Sequence, residues 1–223
     1  MNRLDRTEQR IVGVLIEKQL SVPDSYPLSE NALVDGCNQK SNRDPAMELA
    51  TFQVGGALMA LQEKGFVAKV EGGGRVARYR HLVVDKLGVD AKDLPVLAEL
   101  LLRGPQAPGA LKPRVARMGL SASPEMLEAV LHRLAQHAPP LVELLPLRPR
   151  ERDRRWRHLL GDAEAAQTTP VAAVDSVGAA LPTPAPSPAP RDALLEVRVA
   201  ALEQRVAALQ ELVQQLKPRG ENG

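Results

Sequence analysis

One five-residue pattern occurs twice in this chain, and that repetition limits the possible folds more than any other feature. Residues 78–82 (RYRHL) return as residues 155–159 (RWRHL). An apolar run with helical spacing precedes each copy. Self-similarity at this period indicates two small modules of one kind, each ending in a strand.

The two modules must share 223 residues. A core of roughly 70 to 80 residues is near the lower limit of independent stability, so we expect the modules to pack against each other. The formal net charge is only +2, but residues 91–160 contain 12 Lys and Arg against 7 Asp and Glu. The second module therefore carries the excess of positive charge.

The sequence gives no sign of secretion or membrane insertion. Cys37 is the single cysteine, which excludes an internal disulfide framework. The first ten residues lack an apolar signal core, and no apolar run approaches the ~20 residues that cross a bilayer. We therefore expect a soluble, cytoplasmic protein without a membrane partner.

Capping residues and apolar spacing predict three helices and a β-hairpin in each module. In the first module these are helices over 5–19 (capped by Asp5 and Glu8), from Ser29 and from Thr51 to Gly65, then strands over 66–70 and 76–80. In the second module they are helices from Asp93 to Gly104, around Leu111 to Met118 and from Ser123, then strands over 141–145 and 155–159.

Three helices followed by a hairpin are the pattern of a winged helix, the helix-turn-helix variant in which the hairpin forms the wing. The predicted fold class is therefore mainly α with small β-hairpins (α+β), built as two tandem winged-helix domains over residues 1–90 and 91–160. Residues 161–190 lack periodicity and end in alternating prolines, which predicts a disordered Pro/Ala-rich linker.

Residues 191–217 carry a heptad seam and predict a coiled-coil helix. Valine at every a position and leucine at every d position favour two parallel strands, and the g and e residues then pair with opposite charge. The alternative is a helix that folds back onto its own domains. We predict a weak homodimer through Leu195, Val199, Leu202, Val206, Leu209, Val213 and Leu216.

The second hairpin has the strongest concentration of charge. Six arginines, interrupted by Glu151 and Asp153, are candidates for contacts with a DNA backbone: Arg148, Arg150, Arg152, Arg154, Arg155 and Arg157. Guanidinium groups bind phosphate bidentately, and about four contacts would lower affinity on the order of a hundredfold between 50 and 200 mM salt. The alternative is a solvated hairpin whose alternating charges neutralise one another.

A polar loop after the second helix is the other candidate site. Its six consecutive polar side chains are Asn38, Gln39, Lys40, Ser41, Asn42 and Arg43. They could contact phosphate, a partner peptide or the neighbouring module. The alternative is local capping, in which asparagine and serine bond to nearby backbone.

The two third helices are poor candidates for reading bases. Base-reading helices use arginine, asparagine or glutamine on base edges, whereas these offer acidic side chains and, in the first module, the adjacent Gly55 and Gly56. Those glycines are better suited to close packing of another chain or domain.

The sequence contains no pattern typical of an active site or a metal site. His132 and His137 are five residues apart, off the face that would let them share a metal, and Cys37 has no ligand at suitable spacing. We therefore predict a protein without catalytic residues, metal or cofactor. The repeated histidines, His81 and His158, predict a shared structural position on the last strand.

Two sets of motifs resemble the YceH-like family of bacterial proteins. The first consists of residues 17–19 (EKQ), 26–29 (YPLS) and 37–45 (CNQKSNRDP). The second consists of residues 100–106 (LLLRGPQ), 108–109 (PG) and 117–118 (RM). The resemblance covers residues 4–160 and, more loosely, the heptads, and it implies tandem winged helices with no established biochemical activity.

Two features depart from that family's pattern, the Pro/Ala spacer and Pro113 in the middle helix of the second module. Proline costs ~3 kcal/mol in a helix interior, so we expect this helix to start close to Pro113 or to kink there.

Our interpretation is a non-enzymatic, regulatory protein that contacts DNA, largely its backbone, through the second wing and the loop over 38–43. The alternative is a protein–protein interaction scaffold that uses the winged helices and the coiled coil. Salt-dependent binding to arbitrary duplex DNA distinguishes the two hypotheses.

Overall fold

The computed structural model describes residues 3–70 and 76–161, which belong to one compact unit, Met1–Pro170. These residues are mainly helical with two small antiparallel sheets, so the predicted mixture of helices and hairpins is confirmed. Residues 162–190 of the predicted linker and the seven heptad residues lie outside the described ranges, and their predictions stay predictions. No helix within those ranges has both the length and the apolar character of a membrane span.

Each repeat contains three helices followed by a hairpin. The first repeat consists of α1 (Arg6–Ser21), β1 (Leu28–Ser29), α2 (Glu30–Asn38), α3 (Thr51–Glu63), β2 (Val67–Val70) and β3 (Arg78–His81). The second consists of α5 (Leu94–Arg103), α6 (Pro108–Ala116), α7 (Pro124–Ala135), β4 (Val142–Leu144) and β5 (Trp156–His158). A short helix that the sequence did not predict, α4 (Val83–Leu87), joins the repeats.

The helix starts follow the predicted caps with two corrections. Asp5 and Glu8 form a reciprocal capping box, with N···O distances of 2.8 and 2.7 Å. The cap of α3 is Ala50 rather than Thr51, and the Gln53 side chain accepts a hydrogen bond from the Ala50 N–H. The Asp93 side chain does not cap α5, because it forms an ion pair with an arginine of α7.

For the middle helix of the second module, the predicted start close to Pro113 is wrong. The helix α6 begins at Pro108, five residues before Pro113, and contains Pro113 in its interior. A proline at the first helical position is favourable because its missing N–H would have had no partner there.

The two repeats are equivalent down to individual hydrogen bonds. The Leu82 N–H donates to the Phe66 carbonyl at 2.7 Å, and the Leu159 N–H donates to the Leu141 carbonyl at 2.8 Å. These bonds hold the last strand of each hairpin at the same register. The repeat read from residues 78–82 and 155–159 is therefore present in the structure.

A third strand also has a counterpart in both repeats. In the first sheet, of order β1-β3-β2, Leu28 lies opposite Tyr79. In the second, Gln106 and Trp156 exchange two backbone hydrogen bonds at 3.0 and 2.8 Å. The third strand of the second repeat is thus reduced to a single residue.

The repeats pack against each other through α1 and α5. Residues 8–16 of α1 and 94–102 of α5 are buried without interruption, which is typical of helices at the centre of a protein. Gly13 permits the close approach, since a Cβ there would lie 2.9 Å from Cγ of Leu102. The predicted docking of the modules is confirmed.

The two ends of the described residues also meet. The Leu4 N–H donates to the Leu160 carbonyl at 2.8 Å, and Leu4 forms a parallel bridge with Gly161. The Gln9 side chain donates to the Leu4 carbonyl at 2.7 Å. The segment before α1 is therefore fixed to the segment after β5.

Candidate nucleic-acid interface

The strands β4 and β5 hold the loop that carries the arginines. The Leu145 N–H donates to the Arg155 carbonyl at 2.8 Å, and the Arg154 side chain donates to the Leu145 carbonyl at 3.1 Å. At the tip, the Glu151 N–H donates to the Arg148 carbonyl at 3.1 Å. Arg150 adopts a left-handed conformation with φ of 71°, which non-glycine residues adopt mainly in tight turns.

The structure divides the six predicted arginines into two groups. Arg155 forms an ion pair with Glu151 at 3.3 Å, and Arg157 forms one with Glu143 on the opposite strand. The four others are exposed: Arg148, Arg150, Arg152 and Arg154.

None of those four forms an ion pair among the described residues, and Arg154 differs from Arg148, Arg150 and Arg152 in donating to the Leu145 carbonyl. Because Glu151 is already paired, the remaining carboxylate of this loop is the exposed Asp153. The loop therefore presents more cationic than anionic groups to solvent.

The polar loop over 38–43 is largely used inside the protein. The Asn38 amide donates to the Leu49 carbonyl at 2.8 Å, and its Oδ1 accepts from the Leu49 N–H at 2.7 Å. Gln39 donates to the Ser41 hydroxyl at 3.3 Å. These hydrogen bonds stay within the first repeat, and Lys40 and Ser41 are the exposed residues of the loop.

Arg43 is a correction to the predicted site, because its side chain has no solvent exposure. Its Nη2 lies 2.6 Å from Oε2 of Glu17, and its Nε donates to the Gly36 carbonyl at 3.0 Å. A guanidinium with these partners cannot reach a phosphate. Its role in the folded chain is to fix the loop to α1 and α2.

The same loop contacts the second repeat. The Asn42 side chain accepts a hydrogen bond from Arg103 at the end of α5, and the Asp44 N–H donates to the Leu102 carbonyl at 2.9 Å. Asn42 has a φ of 60°, a left-handed conformation that asparagine tolerates better than most residues. Of the three contacts considered for this loop, the structure shows the one with the neighbouring module.

A second buried arginine was missed in the sequence. Arg10 donates from Nη1 to the Cys37 carbonyl at 2.9 Å and from Nη2 to the Pro45 carbonyl at 2.6 Å. Burial, and then the nearby Arg43, lower the pKa of Arg10. The available signal was spacing, since Arg10 is three and four residues from the buried Gly13 and Val14 of α1.

The other titratable groups fit a structural role. Burial raises the pKa of Cys37 to about 12, so the thiol is protonated and packed in the core. Burial also lowers the pKa values of His81 and His158 to about 4. These two histidines pair with Val67 and Val142 at matching positions, which confirms their shared place on the last strand.

The third helix of the first repeat has an exposed apolar pair that the sequence did not reveal. Phe52 and Met59 of α3 are 79% and 63% exposed. The signal was their spacing of seven residues, on the side of the helix away from its buried residues.

In α7 the one arginine, Arg133, pairs with Asp93. Within the described residues no group of three or more His, Cys, Asp or Glu could hold a metal ion.

These features define a class of mainly helical proteins in which two similar repeats are fused through their first helices. The chain matches the family model described as "Protein of unknown function, DUF480" over residues 4–151, and it belongs to that family. The family resemblance drawn from the motifs is thereby confirmed. The match ends nine residues before the predicted limit of 160 and does not include the heptads.

Several bacterial UPF0502 proteins are similar to this chain. The protein of Pelobacter propionicus is 46% identical over 158 residues, covering 71% of this chain and 72% of the relative. The protein of Citrifermentans bemidjiense is 47% identical over 156 residues, with coverage of 70% and 73%. The protein of Hahella chejuensis is 45% identical over 167 residues, with coverage of 72% and 76%.

Proposed function

We propose that this protein is a non-enzymatic DNA-binding protein that contacts the phosphate backbone through the loop between β4 and β5. In this proposal each repeat is a winged helix, and that loop is the tip of the second wing. The order of helices, the third strand beside each hairpin and the equivalent hydrogen bonds support this assignment.

The observation that carries the proposal is the exposure of Arg148, Arg150 and Arg152 without ion-pair partners among the described residues. Guanidinium groups donate to phosphate in a bidentate geometry, and such contacts position a protein on DNA without reading its sequence. Arg155 and Arg157 are committed to carboxylates within the hairpin and have a smaller part.

Recognition of a particular DNA sequence is not part of the proposal. The outer face of α3 offers Phe52, Met59 and Glu63, and that of α7 offers Glu125 and His132. Carboxylates on these faces would repel phosphates, and none of the outer residues is an arginine that could read guanine.

The C-terminal heptads would strengthen such binding if they form the predicted weak homodimer. Two linked sites bind with higher avidity than one, provided that the spacer lets both sites reach the DNA. Sedimentation of the full chain and of a chain ending at Gly161 tests the dimer. The same number of chains per particle in both proteins would contradict it.

The test of DNA binding is the fluorescence anisotropy of a labelled random-sequence duplex at 50 and 200 mM salt. Three phosphate contacts predict that affinity falls about 40-fold between these conditions, since each contributes ~0.9 to the log-log slope. The variant Arg148→Gln/Arg150→Gln/Arg152→Gln should lose most of its affinity and most of this slope.

A matched control removes three exposed cations elsewhere: Lys69→Gln/Arg80→Gln/Lys92→Gln. Its net charge equals that of the loop variant, but we expect it to retain most of the binding. Equal losses in the two variants would show that total charge matters rather than the loop. Absence of binding to the unaltered chain at 50 mM salt would overturn the proposal.

A further inference from the structure

The outer side of α3 presents an apolar surface that nothing in the described structure covers. Phe52, Gly56, Met59 and Glu63 are spaced by four, three and four residues, so they form one stripe along the helix. The buried side chains of α3 lie on the opposite side. Exposed aromatic and thioether groups on one face of a helix commonly mark an interaction site.

Gly56 leaves a gap in the middle of this stripe. A Cβ at Gly56 would have no atom within 4 Å, so the helix backbone is open between the Phe52 and Met59 side chains. Two apolar side chains on either side of an open backbone suit the insertion of a side chain from a partner helix.

The surroundings of the stripe are acidic. Glu63 ends it, and Oε1 of Glu30 would lie only 3.0 Å from a Cβ on Gly55, beside the stripe. The nearest cation of α3 in sequence, Lys64, lies 2.6 Å from both carboxylate oxygens of Glu8. The charges of the exposed Glu63 and the half-buried Glu30 beside the stripe are therefore negative.

This combination of charge and apolar character disfavours two occupants. A DNA backbone would be repelled by Glu30 and Glu63. A second copy of the same surface would bring like carboxylates together, which costs affinity. The second repeat lacks the feature, because Glu125 and His132 occupy the positions of Phe52 and Met59 in α7.

We propose that the outer face of α3 docks an amphipathic helix of another protein. Apolar side chains of that helix would pack between Phe52 and Met59 and over Gly56. Lysines or arginines beside them would pair with Glu30 and Glu63. The inference does not depend on DNA binding, because it involves an acidic surface of the first repeat, whereas the proposed DNA contacts are arginines of the second repeat.

The experiment is a selection from a display library of random 16-residue peptides on the full chain. We expect enriched peptides with apolar residues at helical spacing and a net positive charge. Synthetic copies are then measured by fluorescence anisotropy. The variant Phe52→Gln/Met59→Gln should lower their affinity at least tenfold, and Glu30→Gln/Glu63→Gln should weaken binding and its salt dependence.

The matched control changes two exposed apolar residues of the second repeat, Met126→Gln/Leu147→Gln. It should bind the peptides like the unaltered chain, and thermal unfolding should show that all three variants are folded. The inference is overturned if no enriched peptide depends on Phe52 and Met59 for binding. It is also overturned if the enriched peptides lack basic residues. If Phe52→Gln/Met59→Gln instead dissociates a dimer or weakens DNA binding, the occupant is a second copy or DNA, and the inference is wrong.

Discussion

Two buried arginines, Arg10 and Arg43, show how a single residue can resemble a ligand contact and serve the fold. A guanidinium carries five N–H donors, so burial requires several acceptors around it. Here the acceptors include the carbonyls of Gly36, Cys37 and Pro45, together with the carboxylate of Glu17. The sequence reveals the donors but not which carbonyls the fold brings to them. This is why Arg43 resembled a phosphate contact.

The variant Arg43→Ala should destabilise the chain by about 3 kcal/mol. Removing one partner of a buried ion pair typically costs ~3 to 5 kcal/mol, and the lower end applies because water still reaches part of Glu17. The measurement is equilibrium unfolding in urea.

The neighbouring variant Lys40→Ala is the control for this prediction. Lys40 is exposed, so its removal should change the free energy of unfolding by no more than about 0.5 kcal/mol. A stable Arg43→Ala protein with weakened DNA binding would restore Arg43 as a phosphate contact.

At the scale of elements, each of the two hairpins contains one histidine, His81 or His158, that is neutral in the folded chain. The Val83 N–H donates to Nδ1 of His81 at 3.3 Å, and Nε2 has no partner. Nδ1 of His158 also has no partner. Burial disfavours the charged form of both rings, and the neighbouring Arg80 and Arg157 repel an added proton, so their pKa values fall to about 4.

Stability should therefore rise with pH between about 4 and 6.5. In this window the unfolded chain binds protons at both histidines while the folded chain does not, so each histidine contributes about 1.4 kcal/mol per pH unit. Below pH 4 the folded chain is also protonated, and this contribution to the slope ends. Urea unfolding at a series of pH values measures it.

The double variant His81→Asn/His158→Asn isolates this effect from the carboxylates that titrate nearby. Asparagine keeps an acceptor for the Val83 N–H but does not ionise. The slope between pH 5 and 6.5 should become markedly flatter in the variant. An unchanged slope would mean that carboxylates alone produce it.

At the scale of the whole molecule, the packing of α1 on α5 unites the repeats. Gly13 lies at this contact, where a Cβ would also lie 3.2 Å from Cβ of Leu101. Gly56 on α3 offers a comparison, because the space around it is open.

Gly13→Ala should destabilise the chain by about 1 kcal/mol, whereas Gly56→Ala should stabilise it by a similar amount. Alanine gains ~1 kcal/mol over glycine within a helix, but at Gly13 the displaced leucines cost ~1 to 3 kcal/mol. Urea unfolding of the two variants measures the difference. Equal effects would contradict the close contact between α1 and α5.

The predictable parts of the molecule are those that neighbouring residues determine. The caps at Asp5, Ser29 and Ser123 and both hairpins follow from short patterns, and the structure contains them. The burial of Arg43 and the exposure of Phe52 depend on residues distant in sequence, so local patterns do not reveal them. The six hairpin arginines alternate with acidic residues in the sequence, but this alternation did not reveal which arginines form ion pairs.

The hydrogen bond between Leu4 and Leu160 makes the described residues almost a closed ring. A short peptide joining residue 161 to residue 3 would close it with little displacement, and the chain could then be opened elsewhere. Opening it near the exposed Asp90, between the repeats, would yield a circular permutant in which the order of the repeats is reversed. The packing of the two repeats therefore does not require their order along the chain, since the same contacts would form from either arrangement.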